Sequence, residues 1–414
     1  MEVLKYSSLL AKHARSYVLG VKLLSMLQTP ERLDELTAEI LNQKQCGKWQ
    51  MHPDDILPLW VADMDFPVAE EIKTALKQHV ETSNFGYPPK GGMPGLVEAT
   101  LERLKNRYGL DLEPAQLQFT NSTVTGLYLG VMACSSPSEE VLMQTPIYGP
   151  FMAAVNDTGR KAVYNKMMHD GDHWRIDFDA LENAVTPASR IFMLCNPHNP
   201  VGRVYSREEL ERLGEFVLKH RLWVISDELH ADLCYENHKH IPFASLSDDV
   251  AQRTITLYGP TKAFNIAGLN ISCAFSHNDA LLARFKDLGK GLAGSPNTLA
   301  QTATISAYRE GSTWLENTLS YLKGNRDFVA DFVKNELPQI EHTSPEGTYL
   351  AWLDFSSLEL DDVEAFLLEE AKVALNNGAS FGPSGEGYAR LNFATSRGIV
   401  EEALIRIRNA VQAL

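Results

Sequence analysis

The chain has 414 residues, of which 44% are hydrophobic and 22% are charged. This composition is typical of a globular protein, and the length allows two or three domains. Acidic residues outnumber basic ones by 53 to 38, giving a net charge of −15. This excess excludes a general surface for nucleic acid or anionic membranes, which needs a basic footprint. Five cysteines without a CxxC pair indicate neither a disulfide framework nor a zinc site, and they favour a reducing cytoplasm.

The first 60 residues are expected to form an N-terminal segment that packs on the body of the protein or on a partner. Its apolar opening, residues 1–30, is interrupted by Lys12, Arg15 and Lys22. No run in it approaches the roughly 18 apolar residues that a membrane span needs. We therefore predict an amphipathic helix and no membrane contact, rather than the transit peptide that its basic, acid-poor composition also suggests.

Between about residues 115 and 276, short apolar runs alternate with amphipathic segments. The runs predicted as strands are LQFTNS, EVLMQTP, RIFMLCNP, LWVISDEL, TITLYG and ISCAFS. TVTGLYLGVMACS and SREELERLGEFVLKH have apolar residues at helical spacing, and the second begins with Ser206 and Glu209 as a capping box. Strands separated by helices predict an α/β domain, a mainly parallel sheet covered by helices, which we place at residues 61–295.

The last hundred residues follow a different pattern. STWLENTLSYLKGNRDFVADFVKNEL predicts a long helix, GTYLAWLDF and YARLNFATS alternate as strands, and GIVEEALIRIRNAVQAL predicts a closing amphipathic helix. We expect a smaller C-terminal α+β domain at residues 296–414, joined to the α/β domain by the long helix.

Polar residues directly after the predicted strands are the first candidates for a site, because ligands bind beyond the carboxyl ends of strands in open α/β sheets. Thr123, Val124 and Thr125 follow LQF and begin a helix. Their free backbone N–H groups and hydroxyls would hold a phosphate, although a simple helix N-cap explains the same residues.

Two further loops carry polar residues at strand ends. Asn199, in NPHNPVGRVYS, could donate to an oxygen of a bound ring, and a turn-forming Asn explains the loop equally well. Asp227, Glu228 and His230 follow LWVIS, where a buried carboxylate needs a cationic partner. A metal site is the weaker interpretation, since a second histidine at ligand spacing is missing.

Lys262 lies between two predicted core strands, TITLY and AGLNISCAFS. A buried lysine is costly unless its nitrogen is used, and the alternative is a packed stem whose ammonium reaches solvent. Together the candidates describe one ligand, with a phosphate, a ring nitrogen facing Asp227, a ring oxygen facing Asn199 and an aldehyde for Lys262. That ligand is pyridoxal 5′-phosphate (PLP). Tyr148, in TPIYGPF, could stack on its ring or simply pack in a turn.

The motifs NPHNPVG, SDELHADL and PTKAFNIAGL, taken with their order, resemble the fold-type I PLP enzymes of the aspartate aminotransferase superfamily. The resemblance extends from about Leu57 to Leu414. LPLWVADMDFP and FGYPPKGG are similar to the C–S lyase branch, the cystathionine β-lyases. The family resemblance implies a PLP-dependent transferase fold of fold type I, with a large, mainly parallel α/β domain and a smaller α+β domain.

The resemblance implies roles around the cofactor. Lys262 would be the Schiff-base lysine and general base, and Asp227 would pair with the pyridinium nitrogen. Asn199 would hydrogen-bond the ring O3′ and Tyr148 would stack on the ring. The phosphate cup would consist of Thr123, Val124 and Thr125.

The resemblance also implies contacts beyond the ring. Tyr87, in GYPP, would reach the phosphate of a neighbouring subunit, which implies a homodimer with shared active sites. Arg390, in ARLNFA, would bind the α-carboxylate of an amino-acid substrate. His230 stands where many aminotransferases carry a tyrosine that faces the ring oxygen.

Two positions depart from the aminotransferase pattern. Asn270 stands where an arginine usually neutralises the phosphate, as is often so in the lyase branch. Gly259 stands where a phosphate-binding serine is common, and Thr261 could replace that serine. Both departures predict weaker retention of the cofactor.

The resemblance implies β-elimination from cystathionine or another cysteine S-conjugate, giving a thiol, pyruvate and ammonia. An aminotransferase would use the same residues, so this alternative stays open. A third alternative is a non-catalytic, regulatory protein with the PLP-enzyme fold. The complete set of Lys262, Asp227 and Arg390 favours catalysis, and no winged-helix DNA-binding extension is evident.

Overall fold

The computed structural model describes residues 30–171, 173–291 and 293–414. The helix predicted within residues 1–29 lies outside this range. The α-helices described are, in chain order, α1 (Pro30–Leu33), α2 (Ala38–Leu41), α3 (Gly47–Gln50), α4 (Glu70–Glu81), α5 (Leu96–Tyr108), α6 (Thr123–Cys134), α7 (Gly149–Asp157), α8 (Phe178–Ala184), α9 (Arg207–His220), α10 (Asp248–Ala251), α11 (Asp279–Gly289), α12 (Thr298–Glu310), α13 (Ser312–Glu336), α14 (Val363–Glu369) and α15 (Arg397–Gln412).

The strands divide between a large sheet, a small sheet and two short pairs. In chain order they are β1 (Leu57–Pro58), β2 (Leu117–Thr120), β3 (Glu140–Thr145), β4 (Lys161–Lys166), β5 (Met168–His169), β6 (Trp174–Arg175), β7 (Ser189–Cys195), β8 (Trp223–Asp227), β9 (Thr254–Tyr258), β10 (Ser272–Phe275), β11 (Glu341–His342), β12 (Leu350–Asp354), β13 (Val373–Ala374), β14 (Asn376–Asn377) and β15 (Tyr388–Asn392).

The large sheet has seven strands in the order β2-β10-β9-β8-β7-β3-β4. Neighbouring strands from β9 to β4 are parallel, whereas β10 runs antiparallel to both of its neighbours. The prediction of a mainly parallel α/β sheet is confirmed. The antiparallel β10 follows from a short connection, since a loop and a 3₁₀ turn (Ala267–Leu269), rather than a crossover helix, join β9 to β10.

Both faces of this sheet are buried, as its continuous apolar runs predicted. Along β7, Met193 packs in one core cluster with Leu127 of α6, while Phe192 packs in another with Leu210 of α9. Alternate residues of one strand thus reach helices on opposite faces. The predicted capping box begins α9, where Ser206 Oγ accepts from the backbone N–H of Glu209 (3.2 Å) and Glu209 Oε2 accepts from that of Ser206 (2.8 Å).

The C-terminal part contains the antiparallel sheet β11-β12-β15-β14, which contacts α13 and α14, while α15 packs on α13. The predicted long helix is α13, and a second helix, α12, precedes it without forming one continuous rod. Gly311 lies between the two helices. A Cβ at that position would lie 2.7 Å from both the Ala307 carbonyl oxygen and the Phe264 ring. The close approach of Phe264 therefore requires glycine at this joint.

The described part of the N-terminal segment packs on the C-terminal part. Strand β1 pairs in parallel with β13, and Leu41 and Trp49 are buried in the core cluster that includes the small sheet. Lys48 forms a fully buried ion pair with Asp65, with 2.9 Å between Nζ and Oδ2. These contacts position residues 60–66, which line the site described below. No helix among the described residues is both long and apolar enough to cross a membrane.

Candidate active site

The predicted site residues come from loops at the carboxyl ends of three adjacent strands. Asp227 is the last residue of β8, and Asn199 follows β7 by four residues. Lys262 lies four residues beyond the end of β9. Because β7, β8 and β9 are parallel neighbours, their carboxyl ends meet at one edge of the sheet.

The amine of Lys262 lies in this buried edge and hydrogen-bonds a backbone carbonyl. Its Nζ donates to the carbonyl oxygen of Ala62 at 2.6 Å. Burial, and then the charge of Arg390, lower the pKa of Lys262 to about 8, while Asp63 and Asp227 oppose this shift. The lysine is thus partly neutral near physiological pH, as a base or a nucleophile requires.

Asp227 is buried without an ion-pair partner in the described chain. Burial raises the pKa of its carboxyl to about 7, against the opposing hydrogen bond from the Leu229 N–H to Oδ1 at 3.0 Å. A carboxylate in such a place is costly unless a cation or a proton donor reaches it. It is therefore suited to pair with a protonated ring nitrogen.

Arg390 projects from β15 of the small sheet and is only 2% exposed. It donates to Asn199 Oδ1 at 3.0 Å and to the Trp60 carbonyl oxygen at 2.8 Å, and its guanidinium lies 5.0 Å from the centre of the Phe381 ring. Its Nε has no hydrogen-bond partner within the described residues, and burial lowers its pKa to about 10. No carboxylate described here pairs with it, so it is prepared for an anionic ligand.

Three other predicted residues lie around this group. Asn199 accepts from Arg390 through Oδ1, which leaves its Nδ2 to donate to a ligand. Tyr148 precedes α7, and its side chain is 37% exposed. Desolvation raises the pKa of its hydroxyl, and the charge of Arg390 opposes this shift. Burial, Lys262 and Arg390 together lower the pKa of His230 to about 3, so its ring is neutral.

The residues of the predicted phosphate cup lie at the N-terminus of α6, where their hydroxyls and their backbone N–H groups have different partners. The N-cap is Ser122, whose Oγ accepts from the backbone N–H of Thr125 at 3.0 Å. Thr123 Oγ1 donates to Ser272 Oγ at 3.1 Å, and Thr125 Oγ1 donates to Asn121 Oδ1 at 2.8 Å. Both predicted hydroxyls are thus engaged with the protein, and the backbone N–H groups of Thr123 and Val124 stay available for an anion.

The two departures from the aminotransferase pattern have structural reasons. A Cβ at Gly259 would lie 3.2 Å from both the Ile271 carbonyl oxygen and Ser272 Cα, so a serine there would be crowded. Asn270 has φ of 57°, a left-handed conformation that asparagine tolerates better than arginine. Thr261, the suggested substitute for serine, is buried beside Lys262.

Two acidic residues of SDELHADL stabilise the fold rather than the site. Glu228 accepts from Ser226, His240 and the backbone of Phe243, all within 3.0 Å. Asp232 is buried against the side chains of two arginines and two tyrosines, Arg103, Arg107, Tyr108 and Tyr258. The described residues contain no group of three or more His, Cys, Asp or Glu side chains able to hold a metal ion.

Tyr87 is not brought to the site within one chain. It lies between α4 and α5, and its side chain is fully exposed, as is much of the nearby Phe85. Its predicted role at the phosphate of a neighbouring subunit therefore stays a prediction.

The sequence did not single out several groups that complete the site. These are the carbonyls of Trp60 and Ala62, the hydroxyl of Tyr349, which also donates to Ala62 at 3.0 Å, and the hydroxyl of Ser272. The motif LPLWVADMDFP contains Trp60 and Ala62, but in the sequence it indicated only the family resemblance.

The side chains present fit PLP. Within the described residues, the buried Asp227 carboxylate and the buried Arg390 guanidinium form no ion pair, and α6 begins with unpaired N–H groups. A pyridinium nitrogen, a substrate carboxylate and a phosphate would each satisfy one of these groups. Lys262 is the amine that an aldehyde requires.

A family model described as aminotransferase class I and II matches residues 54–407. The chain belongs to this family. The predicted resemblance and the fold-type I architecture are thereby confirmed.

Individual relatives point to one branch of the family. Cystathionine beta-lyase PatB of Bacillus subtilis (strain 168) is 39% identical over 86% of this chain and 93% of its own. The PLP-containing crystal structure of cystalysin from Treponema denticola has a TM-score of 0.86 and 30% identity, covering 89% of this chain and 96% of its own. The structure of OvoB has a TM-score of 0.86 and 40% identity, covering 90% and 97%.

The crowding at residue 259 predicts a loss of stability on substitution. Gly259→Ser should lower the free energy of unfolding by about 1–3 kcal/mol, because a Cβ would press on the backbone of β10. Gly268→Ser is the matched control, since no atom lies within 4 Å of the corresponding Cβ. Urea unfolding of both variants measures the difference, and equal stabilities would contradict the explanation for Gly259.

Proposed function

We propose that this protein is a PLP-dependent C–S β-lyase of the cystathionine β-lyase type. It acts on cystathionine or other cysteine S-conjugates and releases a thiol, pyruvate and ammonia. The observation that carries the proposal is the convergence of Lys262, Asp227 and Arg390 in one buried site, in a chain similar to a cystathionine beta-lyase over most of its length.

The cofactor supplies an aldehyde that bonds amines and a ring that accepts electrons from the substrate Cα. Asp227 would hold the proton of the ring nitrogen, which would keep the ring an effective acceptor. Asn199 would donate from Nδ2 to the ring oxygen, and Tyr148 would cover the ring. The first N–H groups of α6 would hold the phosphate, aided by the partial positive charge of the helix N-terminus.

The substrate is oriented through its carboxylate. Arg390 offers its unpaired Nε and its remaining N–H groups, and a planar guanidinium can bind a carboxylate through two hydrogen bonds. Phe381 and the carbonyl of Trp60 fix the guanidinium in place. With the carboxylate held by Arg390, Lys262 would be the amine that removes the proton from the substrate Cα.

Lys262 moves the proton. Its pKa of about 8 leaves a substantial neutral fraction near pH 7.5, so the amine can remove the proton from Cα. The electrons of the broken C–H bond form the Cα–Cβ double bond as the C–S bond breaks, and the thiolate leaves with the electrons of that bond. The thiolate takes up a proton, and the released 2-aminoacrylate adds water to give pyruvate and ammonia.

An aminotransferase needs a keto acid as its second substrate, whereas a β-lyase does not, and this difference separates the two. We expect the purified enzyme with PLP to form homocysteine and pyruvate in equal amounts from L-cystathionine alone. Pyruvate is measured with lactate dehydrogenase and the thiol with a chromogenic disulfide. Lys262→Ala should abolish turnover and the visible absorbance of the lysine-bound cofactor, because no other amine replaces it.

Two outcomes would contradict this proposal. Turnover only with added 2-oxoglutarate would establish the aminotransferase, which the family description keeps as the second candidate. Bound PLP without turnover of any amino acid would favour a regulatory protein.

We further propose a homodimer with shared active sites. The exposed aromatic side chains of Phe85 and Tyr87 lie on one segment, residues 82–95, between α4 and α5. Exposed neighbouring aromatics are typical of interfaces. In the dimer, Tyr87 of each subunit would contact the phosphate bound by the other.

Complementation between inactive variants tests the shared site. Tyr87→Ala and Lys262→Ala should each be strongly impaired as homodimers. A mixed dimer has one site that combines wild-type Lys262 from one subunit with wild-type Tyr87 from the other, so co-expression should restore activity. Isolation of the mixed dimer with two affinity tags measures this, and a mixed dimer as inactive as its parents would refute sharing.

We also expect a cytoplasmic location. All five cysteines are free thiols, and Cys134, Cys195 and Cys273 are buried. Free thiols persist in a reducing compartment. Fractionation of cells that express the protein would test this expectation.

A further inference from the structure

Two donors share one backbone carbonyl in the active site. The Ala62 oxygen accepts from Lys262 Nζ at 2.6 Å and from Tyr349 Oη at 3.0 Å. A carbonyl oxygen has two lone pairs, and these two donors use both. The hydroxyl of Tyr349 is therefore a near neighbour of the lysine amine, although 87 residues separate the two in sequence.

Tyr349 is held in a single position. Its side chain is fully buried, and its ring lies edge-on to the ring of His230, with 6.0 Å between the ring centres. The preceding residue, Thr348, has φ of 69° and donates its N–H to the Leu233 carbonyl at 2.7 Å, while the Tyr349 carbonyl accepts from Phe393 at 3.0 Å. The backbone around Tyr349 thus leaves the hydroxyl little freedom.

The Ala62 carbonyl is fixed from both sides of the chain. Asn392 Nδ2 donates to the carbonyls of Val61 and Asp63, each at 2.6 Å. Asn265 Oδ1 accepts from the Met64 N–H, and its Nδ2 donates to the Met64 carbonyl, both at 3.0 Å. The hydrogen bond from Tyr349 is the remaining contact that sets the direction of the Ala62 oxygen itself.

We propose that Tyr349 is a positioning residue for the lysine base: through the Ala62 carbonyl, it fixes the acceptor that orients the free amine of Lys262. A neutral amine that donates one N–H to this carbonyl keeps its lone pair directed elsewhere, and only an amine oriented in this way can take the Cα proton efficiently. The Tyr349 hydroxyl donates to the Ala62 carbonyl, so it acts on the amine through this shared acceptor.

This inference rests on the proposed function, in which Lys262 acts as a free base during turnover. Without the Tyr349 hydroxyl, the Ala62 oxygen would still accept from the lysine, but its direction would no longer be held. The amine would then be misplaced during proton transfer, whereas binding of the substrate carboxylate at Arg390 would be unaffected.

The test compares Tyr349→Phe with Tyr108→Phe in the PLP-loaded enzyme. Tyr108 also loses a hydroxyl that donates at 2.6 Å, to Asp232 Oδ1, and Asp232 belongs to the contacts that stabilise the fold away from Ala62. For Tyr349→Phe, kcat should fall roughly tenfold to hundredfold while KM stays within about twofold. The kinetic isotope effect with Cα-deuterated substrate should rise, because proton removal becomes slower. The visible absorbance of the lysine-bound cofactor should be retained.

Two results would overturn the inference. One is a Tyr349→Phe enzyme with the kcat and isotope effect of wild type or of Tyr108→Phe. The other is loss of the cofactor absorbance in Tyr349→Phe, which would assign the residue to the fold of the site. If the wild-type enzyme forms no pyruvate but transaminates, the proposed function fails and the same comparison, with a keto acid added, still tests Tyr349.

Discussion

The site depends on three ionisable side chains that have no ion-pair partners in the described chain, namely the buried Asp227 and Arg390 and the partly buried Lys262. Elsewhere the protein pairs its buried charges, as in the contact of Lys48 with Asp65 at 2.9 Å. An unpaired buried charge costs several kcal/mol in principle, and the shifted pKa values reflect that cost. The fold therefore maintains places for charges that a ligand brings, and a protonated ring nitrogen and a carboxylate satisfy them.

Both sheets are needed to assemble this group. The large sheet supplies Lys262 and Asp227 at the carboxyl ends of parallel strands, and the small sheet supplies Arg390 from β15. Residues 60–66 join the two, because their carbonyls accept from Lys262 and Arg390 alike. The buried pair of Lys48 with the Asp65 carboxylate in turn anchors this segment. Activity and stability are thus connected through a segment whose backbone carbonyls bind both side chains.

The sequence predicted those parts of the fold and site that depend on local pattern. Apolar runs ended by polar residues identified the loops of Asn199, Asp227 and Lys262, and strand-helix alternation predicted a mainly parallel sheet. It did not predict the reversed direction of β10, although β9 joins β10 through a loop and a 3₁₀ turn without a crossover helix. The contact of Tyr349 with Ala62 was also missed, because its acceptor is a backbone oxygen that any residue type supplies, 287 residues away.

The most direct test concerns Asp227 in the cofactor-free protein. Its pKa is about 7 in the folded state and about 3.9 in an unfolded chain. Between these two pH values the carboxyl is protonated in the folded state and ionised in the unfolded state. The free energy of unfolding therefore falls as the pH rises from about 4 to about 7. Denaturant unfolding of the wild type and Asp227→Asn between pH 5 and 8 measures this. The wild type should lose about 3 kcal/mol relative to the variant, and PLP should restore stability at pH 8 in the wild type far more than in the variant. Parallel pH profiles, or equal stabilisation by PLP, would contradict an unpaired carboxylate kept for the cofactor.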